Sequence, residues 1–303
     1  MDAVRRFLDG DVYHSFKRSP LTITAGAIVL ACILAAVFAP WVAPHNPFDL
    51  KTLNLLDAFT PPSFTGRGNP SFFLGTDDQG RDVLSTIIFG SRMSLVIGLG
   101  ATLLAMVFGV SVGLVSGYVG GKLDAFIMRV ADIQLSFPAI LIALLIDGVA
   151  RAVLPKDSHD QLAVYVLILA IAASGWVGYA RTVRGSTLVE RNKEYVQAAR
   201  VIGRHPLAIM FSHVLPNVLG PVLVIGTLQI GAAIITESSL SYLGVGVPPT
   251  QPSLGTLIRI GNDFLFSGEW WITVFPGAAL VIVVLSINVL GDWLRDALNP
   301  RLR

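Results

Sequence analysis

The sequence predicts an all-α membrane protein with about six transmembrane helices. Hydrophobic residues make up 53% of the chain and charged residues only 14%, against roughly 25% charged in soluble domains. The mean hydropathy is +0.68. The charges are also clustered, which leaves six stretches long and apolar enough to cross a bilayer of about 20 helical residues' thickness.

The six stretches cover residues 21–42, 94–118, 126–146, 162–180, 214–236 and 270–290. They divide the chain into a tail at 1–20, a first span within 21–43 and a loop at 44–91. A core at 92–292 holds five spans and an internal loop at 182–213, and a second tail follows at 293–303. The first stretch is too long for a cleaved signal, whose apolar region is about 7–15 residues. Leu30-Ala31-Cys32 has the look of a lipoprotein cleavage site, but the apolar run continues past it, so an uncleaved span is expected. Cys32 is the single cysteine, which excludes an intrachain disulfide framework and a cysteine-based metal site.

Lysine and arginine placement sets the expected orientation. With the N-terminus in the cytoplasm, 15 of the 22 basic residues fall on inner segments and seven on outer ones. Both tails are then cytoplasmic and 44–91 is external. The net charge of +2 gives no reason to expect a nucleic-acid partner.

In the second span Gly109, Gly113, Gly117 and Gly121 recur every four residues and line one helix face. The stripe is either a contact seam that slides or ordinary small-residue packing. In the long loop, Asp77, Asp78 and Asp82 lie close together, but Gln79 and Arg81 break the alternation a calcium loop needs, and no metal is expected. Thr76 or Asp77 is expected to cap a short interfacial helix with Leu84, Ile87 and Ile88 on its apolar side.

Ionisable residues within spans are functional candidates. Asp132 is expected to pair with Arg129, three residues earlier on the same helix face, or to act in gating. Glu237 either meets a substrate amine or snorkels outward, and Asp147 is expected at the interface. Asp132, Gln134 and Glu237 are the candidate translocation-pathway residues.

The segment between spans four and five carries the most information. Tyr195, Ala198, Ala199 and Ile202 fall on one face of a helix, with Asn192 placed to cap it and Gly203 placed to end it. Pro206 suits the first turn of a second helix, in which Leu207, Met210, Phe211 and Val214 repeat the spacing. A helix this short is marginal alone in water. It either lies on anionic lipid or plugs into a groove on a soluble partner, and the spacing does not decide between them.

Gln197-Ala198-Ala199, three residues, Gly203, nine residues and His213-Val214-Leu215-Pro216 resemble the EAA loop of ATP-binding-cassette (ABC) importer permeases. Gln197 replaces the usual acid and His213 the usual isoleucine. Other segments resemble the C-type permease subunits of dipeptide and oligopeptide importers. They are Leu74-Gly75-Thr76-Asp77-Asp78-Gln79-Gly80-Arg81-Asp82-Val83-Leu84-Ser85, Gly117-Tyr118-Val119-Gly120-Gly121, Met128-Arg129-Val130-Ala131-Asp132, Leu240-Ser241-Tyr242-Leu243-Gly244-Val245-Gly246 and residues 288–303.

The resemblance implies a type I importer transmembrane domain, with 92–292 as the core permease domain. It implies that Glu194, Tyr195, Gln197, Ala198, Ala199, Ile202, Gly203, Leu215 and Pro216 couple the spans to an ATPase. It further implies a heterodimer with a B-type permease, one or two ATPases that bind ATP and Mg, and an extracytoplasmic binding protein that delivers peptides. The same family carries nickel complexes, glutathione, opines and murein peptides. The location implied is the bacterial inner membrane.

The chain has no Gly-x-x-x-x-Gly-Lys-Ser/Thr loop and no His-Glu-x-x-His, so no cofactor site or enzyme chemistry is expected in it. A secondary transporter would show matched repeats with broken helices, and no convincing repeat is visible.

Overall fold

The computed structural model describes residues 16–17, 19–49, 53–155 and 159–297. Arg5, Arg6, Arg18, Lys51, Lys156, Arg301 and Arg303, which entered the orientation argument, lie outside the described residues, as does most of each expected tail. Among the described residues the chain is helical throughout, apart from turns and loops.

Helix α1 (Pro20–Val37) starts where Ser19 accepts a hydrogen bond from the Thr22 N–H and Pro20 fills the first turn. A short α2 (Ala39–Val42) continues it after a break at Phe38, because Pro40 in its first turn has no N–H to extend the ladder. Together they cover the first expected span.

The second span is one helix, α3 (Val83–Val119), of 37 residues, about 55 Å long at ~1.5 Å per residue. The expected separate interfacial helix is therefore its first turns. The cap is neither Thr76 nor Asp77 but Asp82, whose carboxylate accepts from the Ser85 N–H and hydroxyl. Asp77 instead folds the turn before it. It accepts from the N–H groups of Gln79 and Arg81 and pairs with the Arg81 guanidinium at 2.6 Å, buried on both sides.

The third expected span is not continuous. Helices α4 (Gly121–Leu135) and α5 (Ala139–Val153) meet at 93°. Pro138 disfavours helical geometry at Phe137 and so ends α4. Helix α6 (His159–Glu190) then runs ten residues beyond the expected end at 180, which shortens the loop expected at 182–213. Two short helices follow, α7 (Glu194–Val201) and α8 (Pro206–Ile209), then a wide turn at Met210–Val214. The last elements are α9 (Leu215–Tyr242), α10 (Leu254–Asn262) and α11 (Trp271–Ala297). Helix α10 has no counterpart among the expected spans, and α11 continues into the expected tail as far as Ala297.

The glycine stripe of α3 is a seam with α6. A Cβ at Gly109 would lie 2.4 Å from the Trp176 carbonyl oxygen, one at Gly113 2.4 Å from that of Ala180, and one at Gly117 2.7 Å from Thr187. Only glycine lets the two backbones come this close. In lipid such close packing holds helices together, since no hydrophobic force acts between them. Gly121 is outside the seam. It opens α4 at φ +62° with nothing within 4 Å of its Cβ position.

Gly113→Ala should lower the stability of the detergent-purified protein by roughly 1–3 kcal/mol through overpacking. Gly185→Ala on α6 has open space at its Cβ position and should be neutral or stabilising, since alanine is the better helix former. Thermal unfolding of the two variants checks this contrast.

Candidate functional site

Helix α7 leaves the end of α6 through a tight turn at 191–193. Its N-cap is Lys193, which makes no side-chain capping bond. Asn192, expected in that role, donates to the Leu188 carbonyl instead. Glu194 in the first turn and Arg200 in the last complement the helix dipole.

Gly203 ends α7 at φ +79°. Its N–H bonds to the Arg200 carbonyl at 3.0 Å, and the Arg204 N–H reaches back to Ala199 at 3.1 Å. This pair is a Schellman closure, in which a left-handed residue satisfies the last carbonyls. His205 then caps α8 through the Leu207 N–H, and Pro206 fills its first turn. The wide turn at Met210–Val214 closes with a bond from the Leu215 N–H to Met210. It lies just before Pro216, which has no N–H to continue an ordinary ladder.

The two helices form a knuckle with two faces. Val196 and Ala199 are buried with Ile209, Met210 and Val214 in a cluster that includes Leu114 of α3, Tyr179 and Val183 of α6, and Val218 of α9. Ala198, Val201, Ile202, Leu207 and Phe211 are exposed, Val201 at 89% and Ile202 at 81%. The face expected to hold Tyr195, Ala198, Ala199 and Ile202 is therefore divided. Ala199, at 4% exposure, belongs to the chain's own core. Val201, read from sequence only as part of the loop, belongs to the outer face.

Tyr195 is a tie rather than a free surface group. Its hydroxyl donates to Glu190 at the end of α6 and accepts from the Asn217 amide in the first turn of α9. Its ring stacks on His213 at an interplanar angle of 18°. Burial of the hydroxyl, with the Glu190 carboxylate beside it, pushes its pKa up to about 12, so it stays a donor under ordinary conditions. Gln197, in the place of the usual acid, donates to the Asn192 carbonyl and is exposed. Leu215 packs against the buried cluster, while Glu194 and Pro216 are exposed.

Charged side chains clamp the same end of the bundle. Arg184 of α6 grips Asp124 of α4 with two bonds. Arg191 donates to the Gly117 carbonyl at the end of α3 at 2.8 Å, where a helix C-terminus favours a cation. Arg200 lies 5.0 Å over the Tyr118 ring.

The three candidate pathway residues are not brought together. Asp132 pairs with Arg181 of α6, not with Arg129, because the α4–α6 packing puts the Arg181 guanidinium within reach. Gln134 donates to the Ala173 carbonyl and accepts from the Trp176 indole. Glu237 is fully buried near the far end of α9, where the Ser94, Ser238 and Ser241 hydroxyls donate to it. It neither snorkels nor faces an opening. Asp147 is also buried and pairs with Arg151 at 2.6 Å.

A cavity of about 180 Å³ lies between the middles of α3, α6 and α9, lined in part by Thr102, Ser174, Tyr179, Gln229 and Thr236. The sequence signal for it was isolated polar residues near the centres of apolar spans.

A family model for the N-terminal transmembrane domain of oligopeptide transport permease C matches residues 10–62. The model of the binding-protein-dependent transport system inner membrane component matches residues 109–303. The dipeptide transport permease DppC of Haemophilus influenzae is 37% identical, with 97% of this chain and 95% of the relative covered. The di/tripeptide permease DppC of Pseudomonas aeruginosa is 36% identical, over 97% and 92%. The oligopeptide permease OppC of Bacillus subtilis is 38% identical, over 97% and 90%. Among solved structures, the inward-facing MetNI methionine ABC transporter shares the fold, with a TM-score of 0.55 at 18% identity over 71% of this chain and 96% of the other. The chain therefore belongs to the binding-protein-dependent transport system inner membrane component family, in its branch of C-type ABC importer permeases.

Proposed function

We propose that this chain is one of two membrane-spanning subunits of an importer that moves di- or oligopeptides across the inner membrane, driven by separate ATPases. The observation that carries the proposal is the divided knuckle. Its inner half is part of the bundle core, while its outer half presents Ala198, Val201, Ile202, Leu207 and Phe211 with no covering among the described residues. An apolar helix face that is rigidly backed and left open suits insertion into a groove on another protein. The peptide substrate is supported by the names of the relatives, which are dipeptide, di/tripeptide and oligopeptide permeases.

The ATPases bind and hydrolyse ATP with Mg and hold the knuckle from the cytoplasmic side. A B-type permease completes the pathway, and a binding protein delivers peptide to the side that carries 44–91. Both tails lie in the cytoplasm.

Ile202→Asp should leave insertion and thermal stability intact. It should reduce import by the reconstituted complex at least tenfold and abolish substrate-stimulated ATP hydrolysis, since a charge cannot enter an apolar groove unpaired. Ala199→Asp puts the charge in the core instead and should lower the yield of folded protein. Normal stimulated hydrolysis by Ile202→Asp would count against docking through this face. For orientation, Gln79→Cys in a Cys32→Ser background should react with an impermeant thiol reagent from outside the cell. Reaction only after the inner face is opened would reverse the topology.

A further inference from the structure

The middle of the bundle contains three polar side chains with nothing to bond to. Thr102 lies near the centre of α3, Tyr179 in the middle portion of α6 and Gln229 at the centre of α9, and all three line the same cavity of about 180 Å³. The hydroxyls of Thr102 and Tyr179 are buried without a hydrogen-bond partner. Among the described residues the Gln229 amide makes no hydrogen bond either, and its nitrogen lies 3.7 Å from the Cβ position of Gly175 across the cavity. Their neighbours Ser174 and Thr236 behave differently, each hydroxyl bonding to a carbonyl of its own helix, Ile171 and Ala232. A lipid-embedded helix normally hides a hydroxyl in that way. Three groups from three spans that forgo this and converge on one space are set up for something that enters it.

We propose that Thr102, Tyr179 and Gln229 form a hydrogen-bonding subsite for the main-chain amide groups of a peptide in transit. This rests on the importer reading above and names the part of the peptide that is recognised. The chemistry favours main chain over side chain or terminus. All residues lining the cavity are uncharged, so nothing there selects a charged end. A hydroxyl donates and accepts, and so does a glutamine amide, so the set can pair with both the N–H and the C=O of a peptide unit whatever its side chain. The small lining residues, Ala101, Ala105, Gly175, Ala232 and Ala233 among them, leave room for main chain. The volume equals on the order of six waters at ~30 Å³ each.

The test uses the complete transporter in proteoliposomes, with its binding protein and ATPases, and compares import of trialanine with trialanine N-methylated on the amide nitrogen of its second residue. The binding protein is the same throughout, so its own preference cancels when variants are compared with wild type. The variant carrying Thr102→Val and Tyr179→Phe keeps the side-chain shapes and removes two unpaired hydroxyls, so its thermal stability should not fall. It should import trialanine about three- to tenfold more slowly, the effect of one or two lost hydrogen bonds. Its preference for trialanine over the N-methylated peptide should narrow by a similar factor. Gln229→Leu provides the same readout if the paired variant does not assemble. An unchanged rate, or a slower rate with an unchanged preference, would overturn the proposal and leave the cavity as a water site. If the wild-type complex imports no peptide, the importer reading fails and this one fails with it. If it imports trialanine and the variants do so with wild-type selectivity, only the subsite is lost.

Discussion

The burial of one side of the knuckle within the helix bundle is the constraint on which the rest of the structure depends. Val196 and Ala199 cannot leave the cluster of Leu114, Tyr179, Val183 and Val218 without exposing apolar surface, at roughly 25 cal/mol per Å². Arg184 on Asp124, Arg191 on the end of α3 and Tyr195 between Glu190 and Asn217 add directional ties around that core. Packing gives the knuckle its stiffness, and the charged and polar ties fix its orientation. A force applied to Ile202 is therefore delivered to α3, α6 and α9 together.

Lipid imposes the second constraint. A polar group that cannot reach water must find a partner inside the protein. Glu237 finds three serines, Asp147 finds Arg151, and Gln134 finds a carbonyl and an indole. These pairings account for why the ionisable residues of the spans serve as structural pins. Thr102 and Tyr179 in the middle of the bundle are exceptions, as are Thr187, Thr273 and Trp293 nearer the ends of α6 and α11.

Five of the six apolar spans were legible in the sequence, because about 20 uncharged residues in a row have few other uses, whereas the third is broken at Pro138. The glycine seam and the Gly203 turn were legible for the same reason, since both rest on what only glycine can do. What failed was decided by tertiary neighbours. Asp132 chose Arg181 over Arg129 because another helix lay nearer than its own next turn, and Ala199 turned inward because Met210 and Val214 fold back beneath it. Asp82 became the cap because Asp77 was already engaged by Arg81. The nine residues of α10 are too few to register as a span, and they lie between α9 and α11 through glycine contacts at Gly255 and Gly261.

The central claim is that the knuckle moves with the bundle and not on a flexible tether. Spin labels at positions 202 and 119, in a Cys32→Ser background, would report the distance from the knuckle tip to the end of α3 in the assembled transporter. The account predicts one narrow distance distribution that is the same with and without ATP. A broad distribution, or a shift of more than about one helical turn, ~5.4 Å, on ATP binding would contradict it.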